Sequence, residues 1–306
     1  MKFFACLAAL SLAAPALAAP KVVTDIAPVH GLVSQVMEGV RTPELLLPPG
    51  TSPHGFALRP SQAAALQAAD AVIWIGPNLS PWLDEAMESL NTDASIALAD
   101  APGTVHLPAR HNAAFGGAHD HGHDHDDEVH DAHHGDDPHL WLDPENAMGW
   151  VDVIAAALAE ADPENAEAYQ ANAAEAQADL RALSDQITAD LTPLHGASFI
   201  VFHDAYQYFE QHFDMPALGA IAMSDGQRPS ARQIASLRER VREAGAVCVF
   251  QEPQHNPGLV ETVVEGTGAK IGTLDPIGAD HEPGPEFYAA LLTGLAKGFT
   301  DCLSAD

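Results

Sequence analysis

The amino-acid sequence predicts an α/β protein built as two Rossmann-like, parallel-sheet lobes joined by one long rigid helix. Three observations carry this. Short apolar runs alternate with amphipathic or Ala-rich stretches, which is the pattern of βαβ units. The alternation runs twice, once on each side of the middle of the chain. Between the two runs lies a long stretch rich in Ala, Glu, Gln and Leu with no glycine.

In the first half, Lys21 to Ile26 reads as a strand, Pro28 to Val40 as a helix, Glu44 to Leu47 as a strand, Pro60 to Ala69 as a helix and Val72 to Ile75 as a strand. In the second half the strands are Phe199 to Phe202, Ala246 to Phe250 and Ala269 to Leu274, with helices from Asp204 and Gly258. Each half also has an Arg-Pro-Ser opening a helix that leads to a strand, at Arg59-Pro60-Ser61 and Arg228-Pro229-Ser230, with serine as the expected cap. Asp162-Pro163 reads as a cap followed by proline at the first helical position, so the joining helix is expected over 162–192, a rod of about 43 Å at 1.5 Å per residue. The expected division is a first lobe over 19–161, the helix, and a second lobe over 193–306. A chain of 306 residues exceeds one comfortable core, which agrees with two lobes.

Residues 1–18 read as a cleavable export signal: Lys2, an apolar run from Phe3 to Leu12, then Ala16-Leu17-Ala18. The run is too short to span a membrane with any certainty, and no later stretch approaches the roughly 20 apolar residues a spanning helix needs. The expectation is an exported protein without membrane insertion. Removing the leader takes Cys6 with it and leaves Cys248 and Cys302. Two cysteines in an oxidising compartment point to one disulfide closing a loop of about 50 residues, contributing on the order of 4 kcal/mol. Two free thiols or a metal pair are the alternatives.

Forty-three acidic against 13 basic residues leave a formal net charge of −30. That balance argues against nucleic acid and anionic membrane surfaces as partners, since both demand Lys and Arg. It suits a cationic cargo.

Histidine locates the cargo. His111, His119, His121, His123, His125, His130, His133 and His134 lie among Asp and Glu in one tract, with no periodicity that a core could use. Imidazole is the commonest ligand for borderline ions such as zinc, so the tract (loop 111–137) reads as an exposed, disordered, auxiliary metal-binding insertion. A soluble loop or a tag is the plainer reading. Four isolated residues matter more. His54 follows the strand near Leu45 to Leu47, His203 directly follows Phe199 to Phe202, Asp275 directly follows the strand ending at Leu274, and His139 stands at the edge of the tract. Ligands of open parallel sheets bind beyond the carboxyl ends of strands, so two such lobes can enclose a site in the cleft between them. Three imidazoles plus one oxygen describe tetrahedral Zn2+ better than manganese. Taken singly, His203 also reads as a hydrogen-bonded core residue and Asp275 as the cap of a turn at Pro276. Glu252, after the strand ending at Phe250, is a candidate to orient a ligand imidazole.

Taken together, Ser52-Pro53-His54 with Arg59-Pro60-Ser61, Asp137-Pro138-His139-Leu140-Trp141-Leu142-Asp143-Pro144, Phe202-His203-Asp204 and Thr273-Leu274-Asp275-Pro276 resemble the zinc-specific solute-binding proteins of bacterial ABC importers (cluster A-I). The resemblance covers essentially the whole chain after the leader. It implies His54, His139 and His203 as zinc ligands, a fourth position filled by a carboxylate or water, and a role in the periplasm delivering zinc to an ABC transporter membrane permease. Manganese-binding relatives carry a carboxylate at the position of His203. Some relatives place Glu immediately before the first ligand, where this chain has Pro53, so Asp275 or water must complete the shell. Cys248 and Cys302 resemble the disulfide of the zinc branch. The expected state is a monomer. The competing classes are a secreted zinc hydrolase, against which stands the lack of His-Glu-x-x-His and Gly-x-Ser-x-Gly, and a zinc buffer or adhesin without a transport partner. The remaining histidines, His30, His106, His195, His212, His255 and His281, share no context and read as structural or surface residues. His30, following the first strand, is the one that could line the cleft.

Overall fold

The computed structural model describes residues 19–90, 94–113, 115, 135–224 and 229–304. The leader and the tract from His119 to His134 lie outside the described residues.

Two four-stranded, all-parallel sheets carry the two halves. In the first, β1 (Val22–Thr24), β2 (Glu44–Leu45), β3 (Ala71–Trp74) and β4 (Ser95–Ala97) lie in the order β2-β1-β3-β4. They are linked by α1 (Ala27–Val36), α2 (Pro60–Gln67) and α3 (Pro81–Leu90). In the second, β5 (Phe199–His203), β6 (Ala220–Ala222), β7 (Cys248–Gln251) and β8 (Lys270–Thr273) lie in the order β6-β5-β7-β8. Their connections are α6 (Gln207–His212), α7 (Ala231–Glu243) and α8 (Gly258–Val264). Periodicity does not single out α3, β4 or β6.

Between the sheets lie α4 (Pro144–Ala161), α5 (Ala166–Leu191) and, at the end of the chain, α9 (Phe287–Leu303). The long helix joining the lobes is α5. At 26 residues it runs about 39 Å, and it starts at Ala166 instead of Asp162. The Asp-Pro pair at 162 does not open it, because the Asp162 carboxylate accepts from the Asn165 side chain at 2.7 Å and from the Tyr169 hydroxyl at 2.9 Å and so closes a turn. The same dipeptide at Asp143-Pro144 does open α4: there Asp143 accepts from the Glu145 amide at 2.9 Å. Nor is α5 a bare rod. It packs along α1, α4 and α9, and one buried cluster runs from Ile26 and Val33 of the first lobe through Trp150, Tyr169, Ile187 and Leu191 to Phe209 and Phe299 of the second.

Serine caps α7, with Ser230 and Gln233 exchanging backbone and side-chain bonds. At α2 the cap position falls on Arg59 and not on a serine, because Pro60 takes the first turn. Cys248 and Cys302 form a disulfide with their Cα atoms 6.1 Å apart, tying β7 to α9. No helix of the described residues is long and apolar enough to cross a membrane.

Candidate metal centre

The carboxyl ends of both sheets face one cleft. His203 is the last residue of β5, Glu252 follows β7 directly, and His54 lies on the loop after β2. That loop is held by the Trp82 indole, which donates to the Pro53 carbonyl at 2.9 Å and packs edge-on against Phe56. His139 precedes a single 3-10 turn over Leu140–Leu142. The turn is locked across the cleft, where Trp141 donates to the Pro276 carbonyl at 2.8 Å and the Tyr288 hydroxyl donates to the Trp141 carbonyl at 2.7 Å.

Three imidazoles meet here. The Nε2 atoms of His54 and His139 are 3.2 Å apart, those of His139 and His203 3.4 Å. His139 and His203 are buried and His54 is half-buried. Behind two of the rings stand carboxylates: Asp137 Oδ1 is 2.7 Å from His139 Nδ1, and both oxygens of Glu252 are 2.8 Å from His203 Nδ1. Asp137 Oδ1 also accepts from the His139 amide at 3.0 Å, and Glu252 from the Tyr206 hydroxyl at 3.0 Å. Opposite such acceptors the His139 and His203 imidazoles are placed to hold the proton on Nδ1 and to turn the Nε2 lone pair inward. Lone pairs facing each other at such distances repel, unless a cation sits between them. Ligands about 2.0–2.1 Å from a tetrahedral zinc lie about 3.3 Å from one another. The cluster therefore fits zinc in both spacing and polarity.

Burial pushes Asp137 up to about 7, against the opposing pull of the His139 amide and the Arg110 charge. Burial likewise pushes Asp204 up to about 7, with Arg110 opposing.

Asp275 does not join the cluster. Its Oδ1 accepts from Gln254, Ile277 and Gly278, and its Oδ2 from the Ala279 amide, so the carboxylate closes the turn after β8. Among the described residues, the ligand atoms that converge within 4.8 Å are those of His54, His139 and His203, and of His203, Glu252 and His255. His255 thus belongs to the pocket, stacked on Phe202 at 4.3 Å and 3.5 Å from Glu252. Its signal is the one that marks His203: it follows a strand's carboxyl end. Asp137 is the other residue that motif reading quotes without giving a role. The scattered histidines have other partners. His30 sits against the Pro43 carbonyl and Ser34, away from the pocket, and His106 against the Ala99 carbonyl and Asp136.

Ser184, His212 and Asp143 form a hydrogen-bonded chain in the order of a hydrolase triad, with both links at 2.9 Å. Ser184 lies in the interior of α5, however, where the backbone amides are already engaged in the helix. The chain ties α5, α6 and the cap of α4 together.

A family model described as "ZnuA: Zinc-uptake complex component A periplasmic" matches residues 22–302. This chain belongs to the ZnuA family. High-affinity zinc uptake system protein ZnuA of Paracoccus denitrificans is 44% identical, over 94% of this chain and 93% of its own length. ZnuA of Yersinia pestis is 36% identical, over 94% and 92%. A zinc-bound ZnuA deletion mutant of known structure superposes with a TM-score of 0.76 at 26% identity, covering 94% of this chain and 99% of its own. A manganese-bound solute-binding protein of Pseudomonas aeruginosa shares the fold alone, with a TM-score of 0.78 at 21% identity over 93% of this chain and 98% of its own. The ZnuA assignment and the three-imidazole cluster point to the same ion by independent routes.

Proposed function

We propose that this chain is a zinc receptor of the periplasm, which captures Zn2+ between its lobes through His54, His139 and His203 and delivers it to the membrane permease of an ABC importer. The observation that carries the reading is the convergence of the three Nε2 atoms at zinc-ligand spacing, with carboxylates behind His139 and His203. Relatives named as zinc uptake proteins, at 36% and 44% identity over more than nine-tenths of the chain, support the transport role. Water is the fourth ligand in this reading, because both oxygens of Asp275 are engaged in its own turn. The chain acts as a monomeric receptor and not as an enzyme, and residues 1–18 serve as its cleavable leader.

Binding needs no large internal rearrangement. The imidazoles are preset at zinc-ligand spacing. The tract from His119 to His134 acts as a second, weaker zinc acceptor that captures the ion or senses its excess.

Titration of the leader-free protein tests the assignment. One tight zinc is expected, and its affinity should collapse in each of His54→Ala, His139→Ala and His203→Ala. Tight binding that survived all three changes would overturn the ligand set. Deleting residues 119–134 should keep the tight site and lower the total zinc bound; undiminished stoichiometry would remove the tract as an acceptor.

A further inference from the structure

One residue outside the site links the two ligand-bearing segments: its neighbours pair with the segment of His139, and its side chain holds the residue after His203. Leu107 to Ala109 pair antiparallel with Gly135 to Asp137: the Ala109 amide donates to the Gly135 carbonyl at 3.1 Å and the Asp137 amide to the Leu107 carbonyl at 2.8 Å. Asp137 in turn holds His139. Further along, the Ala113 carbonyl accepts from the Ala220 amide at 3.0 Å and the Phe115 amide donates to the Leu218 carbonyl at 2.9 Å, which places both residues on the open edge of β6 in the second lobe. The chain therefore crosses from one lobe to the other within a few residues.

Arg110 sits at the crossing. Its guanidinium donates to Asp204 at 3.0 Å and to both oxygens of Glu210 at 3.2 and 2.7 Å, and it lies 4.0 Å from the centre of the Phe115 ring. Asp204 is the residue after His203. Both carboxylates are almost wholly buried, at 5% and 3% exposure, against 23% for Arg110. A planar fork held on two buried carboxylates is a stiff joint, because its geometry fixes direction as well as distance.

We propose that Arg110 is a positioning residue for zinc: from the strand pair that frames His139 it grips the residue beside His203, and so keeps the imidazoles of the two lobes in register. The proposal rests on the three-histidine reading. A ligand set needs placement within about 0.5 Å, and hydrogen bonds along one lobe cannot fix a distance between two. Loss of a partner behind metal ligands typically costs about 10- to 100-fold in affinity. The loss should come mainly from faster release, since the ligands themselves and their access are untouched.

The experiment compares the leader-free protein with Arg110→Ala, Arg110→Lys and, as a control on the site itself, His203→Ala. Zinc affinity is read by chelator competition, release by stopped flow, coordination by X-ray absorption, and metal-free stability by thermal melting. Arg110→Ala should bind one zinc through the same histidine set, about 10- to 100-fold more weakly, with faster release. Arg110→Lys, which keeps the charge and loses the fork, should fall between. A metal-free melting point that drops while zinc affinity stays within about twofold would reduce Arg110 to a stability clamp and overturn the proposal. If the alanine protein does not fold, Asp204→Asn carries the test at the same thresholds. Tight zinc retained by His203→Ala would instead sink the three-histidine reading, whatever Arg110 does.

Discussion

At the scale of single residues, the centre depends on which nitrogen of each imidazole holds a proton. Glu252 favours the Nδ1 proton on His203, and Asp137 faces the same nitrogen of His139. Replacing Glu252 with Gln leaves an acceptor for Nδ1 but removes its charge and turns an amide donor towards Tyr206 or His203. Zinc affinity should fall about 10- to 100-fold while the stoichiometry of the tight site stays the same, measured by competition with a chelator; unchanged affinity would make Glu252 a bystander. A second prediction concerns Asp25, buried at the end of β1, where it accepts from the Ile26 and Ile75 amides and the Ser80 hydroxyl. Burial pushes it up to about 6 despite those bonds. The folded protein therefore holds this proton more tightly than the unfolded chain, whose Asp titrates near about 3.9. Its contribution to stability is fully present below about pH 4 and declines as the pH rises to about 6. Denaturant melts of the metal-free protein should show a shallower fall over that window in Asp25→Asn than in the parent. Equal slopes would contradict the assignment. His54, His139 and His203 are legible in the sequence because strand ends and motif spacing mark them. Asp275 is marked by the same rule and falls outside the cluster, because the turn amides of residues 277–279 compete for its oxygens and proximity to a strand end does not reveal that competition.

At the scale of elements, the second lobe is shaped by how closely α9 approaches β8. A Cβ on Gly298 would lie 2.5 Å from the Thr273 carbonyl oxygen, so only glycine fits at that contact. Gly298→Ala should destabilise the protein by about 1–3 kcal/mol in denaturant melts, through overpacking against a backbone that cannot yield. It should also disturb the Asp275 turn, which begins two residues on. The same pair of elements is tied, through neighbouring β7, by Cys248 and Cys302, 54 residues apart. Reduction should lower stability by about 4 kcal/mol in the chain-entropy account. Melting with and without a thiol reductant checks this, and a double cysteine-to-serine variant that melted with the oxidised protein would refute it. Periodicity places most strands and helices within a few residues of their ends. It does not place α9, whose apolar residues could serve a strand or a helix until a partner face is known. It also starts the joining helix too early. Whether Asp caps a helix or closes a turn depends on the donors that packing brings to its carboxylate, and at Asp162 Tyr169 supplies one.

Across the whole molecule, the two sheets share a single buried cluster through α1, α4, α5 and α9, and the cleft is bridged by Trp141, Tyr288 and Arg110. If zinc is held by His54 and His139 from one lobe and His203 from the other, as proposed, it adds a further bridge, present only in the folded state. At free zinc about 100 times the dissociation constant, linkage adds about 2.7 kcal/mol to stability. The melting transition should move up with zinc concentration and remain a single step. Two separable transitions, with only one responding to zinc, would show that the lobes do not hold the ion jointly.

Local pattern, charge and strand-end position are enough to predict the class of fold, an export signal, a cationic cargo and His54 and His203 as candidates, while His139 is marked only by the motif that resembles the family. Packing alone brings the three Nε2 atoms to ligand spacing, sets Asp137 and Glu252 behind the rings, commits Asp275 to its own turn, and joins the segments of His139 and His203 through Arg110. Those relations are distances between residues far apart in the sequence, 85 positions for His54 and His139 and 100 for Arg110 and Glu210, fixed by how the two sheets pack on shared helices. No local pattern encodes them.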